Sequence, residues 1–434
     1  MSRYSVAFYT LGCKVSQYET EAIAESFEND GFQIGSFSEI NDVYVINTCT
    51  VTAEADRKSR QIIRRAKKLN PNAKVLVCGC YSQRSPDEVK KISDVDAVIG
   101  SAGKMKLVDI AKRLLSENTR IADVTSIEDE PFEPMKITKA PRTRVYVKIE
   151  DGCECRCTYC AIPSARGRVR SKPRIDVIEE VEALSESGVC EVVLTGIETG
   201  SYGMDFTEKY NLADLICELD ARGSVKRVRL GSLAPELVGK SFVEKVRDVG
   251  ILAPHFHISI QSGSNAVLRA MKRRYTRETA LENIARLREA FPRAMFTTDI
   301  MVGFPGETEQ DFLDSVSFVR EARFLDCHIF AYSRRKNTPA DSYPCQISED
   351  VKRARSEMLI SVAGEVRGEV LQCVLSSAEP LPCIFEEYVD GCWRGHSDSF
   401  VPVAVESLEN LHGECRTVLP VSMKNNIVIG KIIQ

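Results

Sequence analysis

The 434-residue sequence has little of several things that would direct its function elsewhere. No apolar run approaches the ~18–20 residues a bilayer-spanning helix needs, so no membrane segment is expected. The first residues, Met1-Ser-Arg-Tyr-Ser-Val-Ala-Phe-Tyr9, lack the apolar core of an export signal and read directly as a strand. Histidine occurs five times and tryptophan once, at Trp393. No solenoid-length repeat and no low-complexity tract is visible. The formal net charge of −4 does not by itself mark a nucleic-acid binder. Cysteine, by contrast, is plentiful: there are sixteen. Without an export signal they point to free thiols and metal in a reducing, cytoplasmic compartment, not to a disulfide framework. The length predicts two to four domains.

The densest cysteine run is Cys153-Glu-Cys155-Arg-Cys157-Thr-Tyr-Cys160. Cys153, Cys157 and Cys160 stand at C-x3-C-x2-C spacing. Three thiolates in one short loop can hold three irons of a 4Fe–4S cube, leaving the fourth iron open for a substrate. That open iron is the basis of S-adenosylmethionine (SAM) radical chemistry. A structural zinc site wants four ligands in two spaced pairs. Here the next cysteine is Cys190, and no histidine precedes His255. A redox C-x-x-C made of Cys157 and Cys160 would leave Cys153 idle. Cys155 reads either as an incidental thiol or as a competing ligand.

The pattern along the chain is α/β in three segments. Residues 1–125 alternate strands (Tyr4–Thr10, Val43–Asn47, Lys74–Cys78, Asp96–Ile99) with helices, one over Tyr18–Asp30 stopped by Gly31 and one from Ala53 to near Asn70-Pro71. This is a Rossmann-like parallel sheet. Cys13, Cys49 and Cys80 each follow a strand, and ligands of open α/β sheets bind at the carboxyl ends of strands. They read as one site, the alternative being three unrelated buried thiols; Cys78 lies within its strand and is expected to pack inward. Residues 126–140, with Glu128-Asp-Glu-Pro-Phe-Glu-Pro134, read as an acidic linker. Residues 141–369 carry strands at Arg144–Glu150, Glu191–Gly196, Arg227–Leu230, His255–Ile260, Thr297–Val302 and Asp326–Tyr332, with helices such as Arg174–Ser187 and Arg277–Ala290 between them. They predict a partial (β/α)6 barrel with the cysteine loop at its C-terminal mouth. Residues 370–434 turn to short strands, beginning with Val370–Ser376, and predict a small β-barrel of the oligonucleotide-binding type.

Basic residues are clustered although net charge is low. Arg57, Lys58, Arg60, Arg64, Arg65, Lys67 and Lys68 share one helix. Arg166, Arg168, Arg170, Lys172 and Arg174 follow the cysteine loop, and Lys272, Arg273, Arg274 and Arg277 form a third group. Each group is either a solvated face or part of a surface for an anionic partner. In the last segment Phe385, Tyr388, Trp393 and Phe400 either stack on bases or pack a core.

With both cysteine sets in view, the chain resembles the radical-SAM methylthiotransferases over nearly its whole length. The resemblance is carried by Leu11-Gly-Cys13-Lys-Val15, Asn47-Thr-Cys49-Thr-Val51, Cys78-Gly-Cys80-Tyr81, Asp151-Gly-Cys153 to Cys160, and Ala165-Arg-Gly-Arg-Val-Arg-Ser171. It continues through Ser259-Ile-Gln-Ser-Gly-Ser264, Thr298-Asp-Ile-Met-Val-Gly-Phe-Pro-Gly-Glu307 and Gly391-Cys-Trp-Arg-Gly-His396. Gly12-Cys-Lys-Val-Ser-Gln-Tyr-Glu-Thr-Glu21 is similar to the subgroup acting on N6-threonylcarbamoyladenosine in tRNA (MtaB type). Relatives acting on isopentenyladenosine tend to carry Gln-Met after this cysteine, and those modifying a ribosomal-protein aspartate Pro-Lys. Glu198 departs from the pattern, standing where relatives often have histidine. Cys155 departs too, since that position is usually not cysteine.

The resemblance implies two 4Fe–4S clusters, one on Cys153, Cys157 and Cys160 that binds SAM and one on Cys13, Cys49 and Cys80 that handles the incoming sulfur. It implies a 5′-deoxyadenosyl radical that abstracts hydrogen from C2 of a tRNA adenosine beside the anticodon, a second SAM as methyl donor, an external electron donor and a sulfur donor. Tyr159, Gly196, Gln261 and Gly303 are the expected SAM neighbours, although the glycines also suit turns. The last segment would be the family's TRAM module, gripping RNA, and a monomer is expected. The alternatives are a methylthiotransferase for isopentenyladenosine, or an iron–sulfur RNA-binding regulator without turnover.

Overall fold

The computed structural model describes residues 4–117, 119–128, 130–139 and 143–433. The expected linker and the start of the central segment therefore lie partly outside the described residues, at Asp129 and at 140–142.

The first layer is a parallel sheet of β1 (Ser5–Thr10), β2 (Gln33–Ile34), β3 (Val43–Thr48), β4 (Lys74–Gly79), β5 (Ala97–Ile99) and β6 (Ile121–Asp123), in the order β2-β1-β3-β4-β5-β6. Its central strands read as nearly continuous apolar runs because helices cover both faces. Val6, Val43, Val45 and Leu76 face one side; Tyr44, Ile46, Val75 and Val77 face the other. The strand order reverses between β1 and β3, and doubly wound sheets bind ligands at such a switch point.

The central segment continues with β7 (Arg144–Lys148), β8 (Glu150–Asp151), β9 (Arg170–Ser171), β10 (Glu191–Thr195), β11 (Arg227–Leu230), β12 (Ser232–Leu233), β13 (His255–Gln261), β14 (Met295–Val302) and β15 (Asp326–Ala331). All six expected barrel strands are present. They form two parallel arcs, β11-β10-β7 and β12-β13-β14-β15, with Gly231 between β11 and β12. The short pair β8-β9 is antiparallel and brackets the cysteine loop.

One expected strand is absent. Val370–Ser376 is not a strand but the end of a 29-residue helix, Glu349–Ser377. Its buried positions, Leu359, Val362, Val366, Val370 and Val374, recur every three or four residues and pack on β14 and β15. The final barrel begins only at β16 (Leu381–Val389) and closes as β16-β17-β18-β20-β19 through β17 (Cys392–Ser397), β18 (Pro402–Val405), β19 (Cys415–Lys424) and β20 (Ile427–Ile432). Its core residues Cys383, Phe385, Val401 and Val418 are continuous with that helix.

Candidate metal and radical site

Three thiols are delivered to one edge of the first sheet. Cys13 follows β1 and begins the helix Lys14–Asn29, Cys49 follows β3, and Cys80 begins the short helix Cys80–Arg84 directly after β4. Cys13 and Cys49 thus flank the switch point. A Cβ added at Gly12 would lie 3.4 Å from Cys49 Sγ, so the two loops touch. Gly79 has φ +99°, and a Cβ there would come within 2.6 Å of the Thr48 carbonyl oxygen, so only glycine lets the chain turn to present Cys80. Burial together with Cys80 and Cys13 pushes the Cys49 thiol up to about 12. Cys78 is fully buried within β4, as expected.

The second set lies at the mouth of the barrel, after β7 and β8. Cys157 and Cys160 are joined by a tight turn, Cys160 N–H donating to the Cys157 carbonyl at 3.0 Å. Each sulfur of the expected triad accepts an N–H. Cys155 N–H donates to Cys153 Sγ at 3.4 Å, Ile162 N–H to Cys160 Sγ at 3.4 Å, and Arg273 Nη1 to Cys157 Sγ at 3.4 Å. Such donors stabilise thiolates and tune iron–sulfur centres. Cys155 itself lies against Cys153, and that contact together with Arg273 and Arg274 lowers its thiol to about 6. Among the described residues no three acidic, histidine or cysteine side chains converge as ligands of a single ion. A single zinc ion would need sulfurs within about 2.3 Å of one point, whereas a four-iron cube spreads its ligands further. The donor set, all sulfur and supplied with N–H partners, fits such a cube.

A buried ionic network joins the two thiol sets, and sequence reasoning missed it. Arg166, fully buried, donates from Nη1 to Glu19 Oε1 (2.6 Å) and Asp151 Oδ1 (3.1 Å), and from Nε to Cys80 Sγ (3.3 Å). Glu19 also pairs with Lys104 (2.6 Å) and Lys148 (2.8 Å), and Asp151 with Lys148 (2.7 Å) and Arg170 (3.4 Å). The surrounding cations hold both carboxyls below their ordinary range despite burial. Four cations thus meet two carboxylates beside Cys80. The surplus positive charge suits the added negative charge of metal-bound thiolates. This placement corrects both readings of the basic run after the cysteine loop, a solvated face or a surface for an anionic partner, at three of its members: Arg166, Arg170 and Lys172 are buried and paired, Lys172 with Glu180.

The expected SAM neighbours are arranged around the same mouth. Tyr159 is half-buried with its ring edge-on to Phe304, centroids 6.5 Å apart. Gln261 ends β13 at a register shift with φ +66°, and Gly303 ends β14 with φ +72°, its N–H donating to Glu307 Oε2 at 2.7 Å. Gly196 follows β10, where a Cβ would lie 2.5 Å from Glu150 Oε2. Glu198 is buried: its N–H donates to Glu150 Oε2 (3.0 Å), and its Oε1 accepts from Ala234 N–H (2.9 Å). Burial raises Glu198 to about 8 and Glu150 well above the usual carboxyl range, which favours the neutral form of each.

The final barrel docks beneath the central one. Phe400 is sandwiched between His255 and His396, centroids 4.5 and 4.7 Å away, with the Arg144 and Arg229 guanidiniums at 5.3 and 5.2 Å. Arg144 pairs with Glu386 and Arg293 with Asp398, both at 2.6 Å. Of the four aromatics offered for base stacking, Phe385 is core and Phe400 serves this interface. Tyr388 remains exposed, with its ring 5.3 Å from that of Trp393. On the helix Ala53–Leu69, Lys58, Arg64, Arg65 and Lys68 are exposed, while Lys67 pairs with Asp96 and Arg60 packs on Tyr81.

Comparison with known proteins matches this geometry. The radical SAM superfamily model covers residues 147–319, and the family UPF0004 model covers residues 5–100. The chain is 39% identical over 421 residues to the threonylcarbamoyladenosine tRNA methylthiotransferase MtaB of Bacillus subtilis (strain 168), covering 94% of this chain and 92% of that protein. The chain belongs to the radical-SAM methylthiotransferase family. Another member, the tRNA-2-methylthio-N(6)-dimethylallyladenosine synthase of Methylacidiphilum infernorum (isolate V4), is 34% identical over 380 residues, covering 85% of this chain and 81% of that protein. The fold is also that of the radical S-adenosylmethionine methyltransferase TsrM from Kitasatospora setae, solved with cobalamin and a [4Fe-4S] cluster: TM-score 0.57, 16% identity, 78% of this chain and 77% of that one.

Proposed function

We propose that the protein is a tRNA methylthiotransferase that places a methylthio group at C2 of N6-threonylcarbamoyladenosine beside the anticodon. The observation that carries this reading is the buried Arg166, which bonds Cys80 at the edge of the first sheet and Asp151 at the start of the cysteine loop at the barrel mouth. Similarity to MtaB and to a dimethylallyladenosine synthase supports the reaction class, and the former supports the substrate.

Cys153, Cys157 and Cys160 would hold one 4Fe–4S cluster with SAM, and Cys13, Cys49 and Cys80 the other. When bound, these groups supply a carbon radical and a transferable sulfur, chemistry that a non-acidic C–H bond requires and that acid–base side chains cannot provide. The chain's own contribution is positional. Arg273 and the backbone N–H groups of Cys155 and Ile162 hold the loop sulfurs, and Arg166 fixes Cys80 relative to that loop. Tyr159, Gly196, Gln261 and Gly303 surround the mouth where SAM would lie. The exposed basic helix and the Tyr388–Trp393 pair of the final, TRAM-like barrel would contact RNA. An external electron donor and a sulfur donor complete the proposed reaction, carried out by a cytoplasmic monomer.

Mass spectrometry of tRNA nucleosides from a strain lacking the gene tests this reading. The methylthio group should vanish from threonylcarbamoyladenosine and persist on isopentenyladenosine. The reverse pattern would assign the other substrate. No change in either would remove the tRNA-modifying role.

A further inference from the structure

Successive residues of a barrel strand face alternately outward and inward. Phe256, Ile258 and Ile260 of β13 and Phe296 and Ile300 of β14 belong to the outer, helix-side core, and Cys327 and Ile329 of β15 pack against it. His255, His257, Thr297, Asp299, His328 and Phe330 therefore lie on the inward face.

Five of these form one hydrogen-bonded chain across three strands. Thr297 Oγ1 lies 3.0 Å from His255 Nε2 and 2.9 Å from His257 Nδ1. Asp299 Oδ2 bonds His257 Nε2 at 3.2 Å, and Asp299 Oδ1 bonds His328 Nδ1 at 3.3 Å. A carboxylate only accepts, so both facing ring nitrogens carry hydrogens. Asp299 thus fixes the His328 ring by Nδ1, and the same bond favours its charged form. The outer nitrogen, Nε2, has no partner among the described residues. The His328 side chain is 75% exposed, on the end strand of its arc. Arg144, Lys148 and Arg229, on the inward face of β7 and β11, are already paired with Glu386, Asp151 and Glu191. An imidazolium held from behind by a carboxylate, with a free N–H in front, is built for an anion.

The same face leads from His328 to the radical loop. Its ring centroid is 5.5 Å from that of Phe330. Phe330 packs in the cluster of Met301, Phe304 and Tyr332, and Tyr159 of the cysteine loop joins that cluster through Phe304. His328 lies two residues, about 7 Å of strand, below Phe330. The proposed substrate carries one anionic group on its modified base, the threonyl carboxylate, about 6 Å from adenine C6 at amide bond lengths. C6 and C2 are not adjacent on the ring, so a base that rests on Met301 and Phe330 with C2 towards the mouth sends its tail back along this face. We propose that His328, oriented by Asp299, binds the threonyl carboxylate and so selects threonylcarbamoyladenosine over adenosines with uncharged tails. The inference rests on the function proposed above.

The test uses the full chain with both clusters reconstituted and two anticodon stem-loop RNAs, one with N6-threonylcarbamoyladenosine and one with its neutral threoninamide. The native enzyme should prefer the acid by about ten- to a hundredfold in kcat/KM, the range of one charge-assisted hydrogen bond. His328→Ala should bring kcat/KM for the acid down to the level of the amide, chiefly through KM, and His328→Lys should restore part of the preference. Equal use of both RNAs by the native enzyme, or a His328→Ala enzyme that keeps the native preference, overturns the role of His328 and leaves the proposed function standing. So does loss of both substrates by the same factor, which would assign His328 to the RNA backbone or to the fold. A native enzyme with intact clusters that methylthiolates neither RNA overturns the proposed function as well.

Discussion

Replacing Arg166 with Met removes the side chain that bonds at once to Cys80 and to the buried carboxylates Glu19 and Asp151. The guanidinium contributes hydrogen bonds to Glu19, Asp151 and Cys80 and has no exposure to water. Breaking a buried pair from one side costs about 3–5 kcal/mol, because the partner charge stays buried. Here Glu19 keeps Lys104 and Lys148, and Asp151 keeps Lys148 and Arg170. The loss should therefore fall at the low end, about 3 kcal/mol, and lower the melting midpoint of the apoprotein by about 3 °C. Anaerobic urea and thermal unfolding measure it. A cycle with Glu19→Gln isolates the mechanism: if the cost is the orphaned charge, the double variant is more stable than the sum of the single effects predicts, by about 1–3 kcal/mol. A cost of Arg166→Met under about 1 kcal/mol, or strict additivity in the cycle, refutes the network as a structural tie.

Other substitutions address separate parts of the site. Glu198 has its pKa raised from 4.5 to about 8, so the folded state holds a proton that the unfolded state releases between those values; stability should fall as pH rises through this window. Glu198→Gln should match the native protein near pH 4.5 and exceed it by about 3–5 kcal/mol above pH 8, whereas parallel pH–stability curves would count against a buried neutral carboxyl. Replacing Cys13, Cys49 and Cys80 together with Ala should halve the iron content and retain reductive SAM cleavage, measured as 5′-deoxyadenosine; loss of all cleavage in a folded variant would contradict separate roles for the triads. Changing Arg64, Arg65 and Lys68 to Gln should weaken tRNA binding and flatten its salt dependence by up to about two units of log–log slope, and an unchanged slope would move the RNA surface elsewhere.

The alternation of strand and helix was legible because each strand ends in a recognisable turn and each helix has a stop such as Gly31. The placement of the two cysteine sets was legible for the same reason: Cys13, Cys49 and Cys80 follow strands, and Cys153, Cys157 and Cys160 sit in one loop. The helix Glu349–Ser377 was misread at its end. Val370-Leu-Gln-Cys-Val-Leu375 is β-rich in isolation, and only the spacing back to Leu359 shows the helical period. Burial of cations was not legible at all. Arg166 looks like its exposed neighbour Arg168 until a carboxylate 147 residues earlier, Glu19, is brought against it. Phe400 was similarly ambiguous, because a ring between two histidines and a ring awaiting a base have the same local sequence.

The buried network also explains why such distant thiols are arranged by one fold. A parallel sheet and an open barrel each present ligands at strand ends, but nothing in either architecture sets the distance between the two edges. Glu19 comes from the first helix, Lys104 from the end of the sheet, Lys148 and Asp151 from the first barrel strand and its continuation, and Arg166 from the turn after the cysteine loop. These groups satisfy one another only when sheet edge and barrel mouth face each other. A charge buried without its partners costs several kcal/mol, so the network penalises any other docking of the two units. It places Cys80 beside the start of the cysteine loop by the same interactions that bury the network.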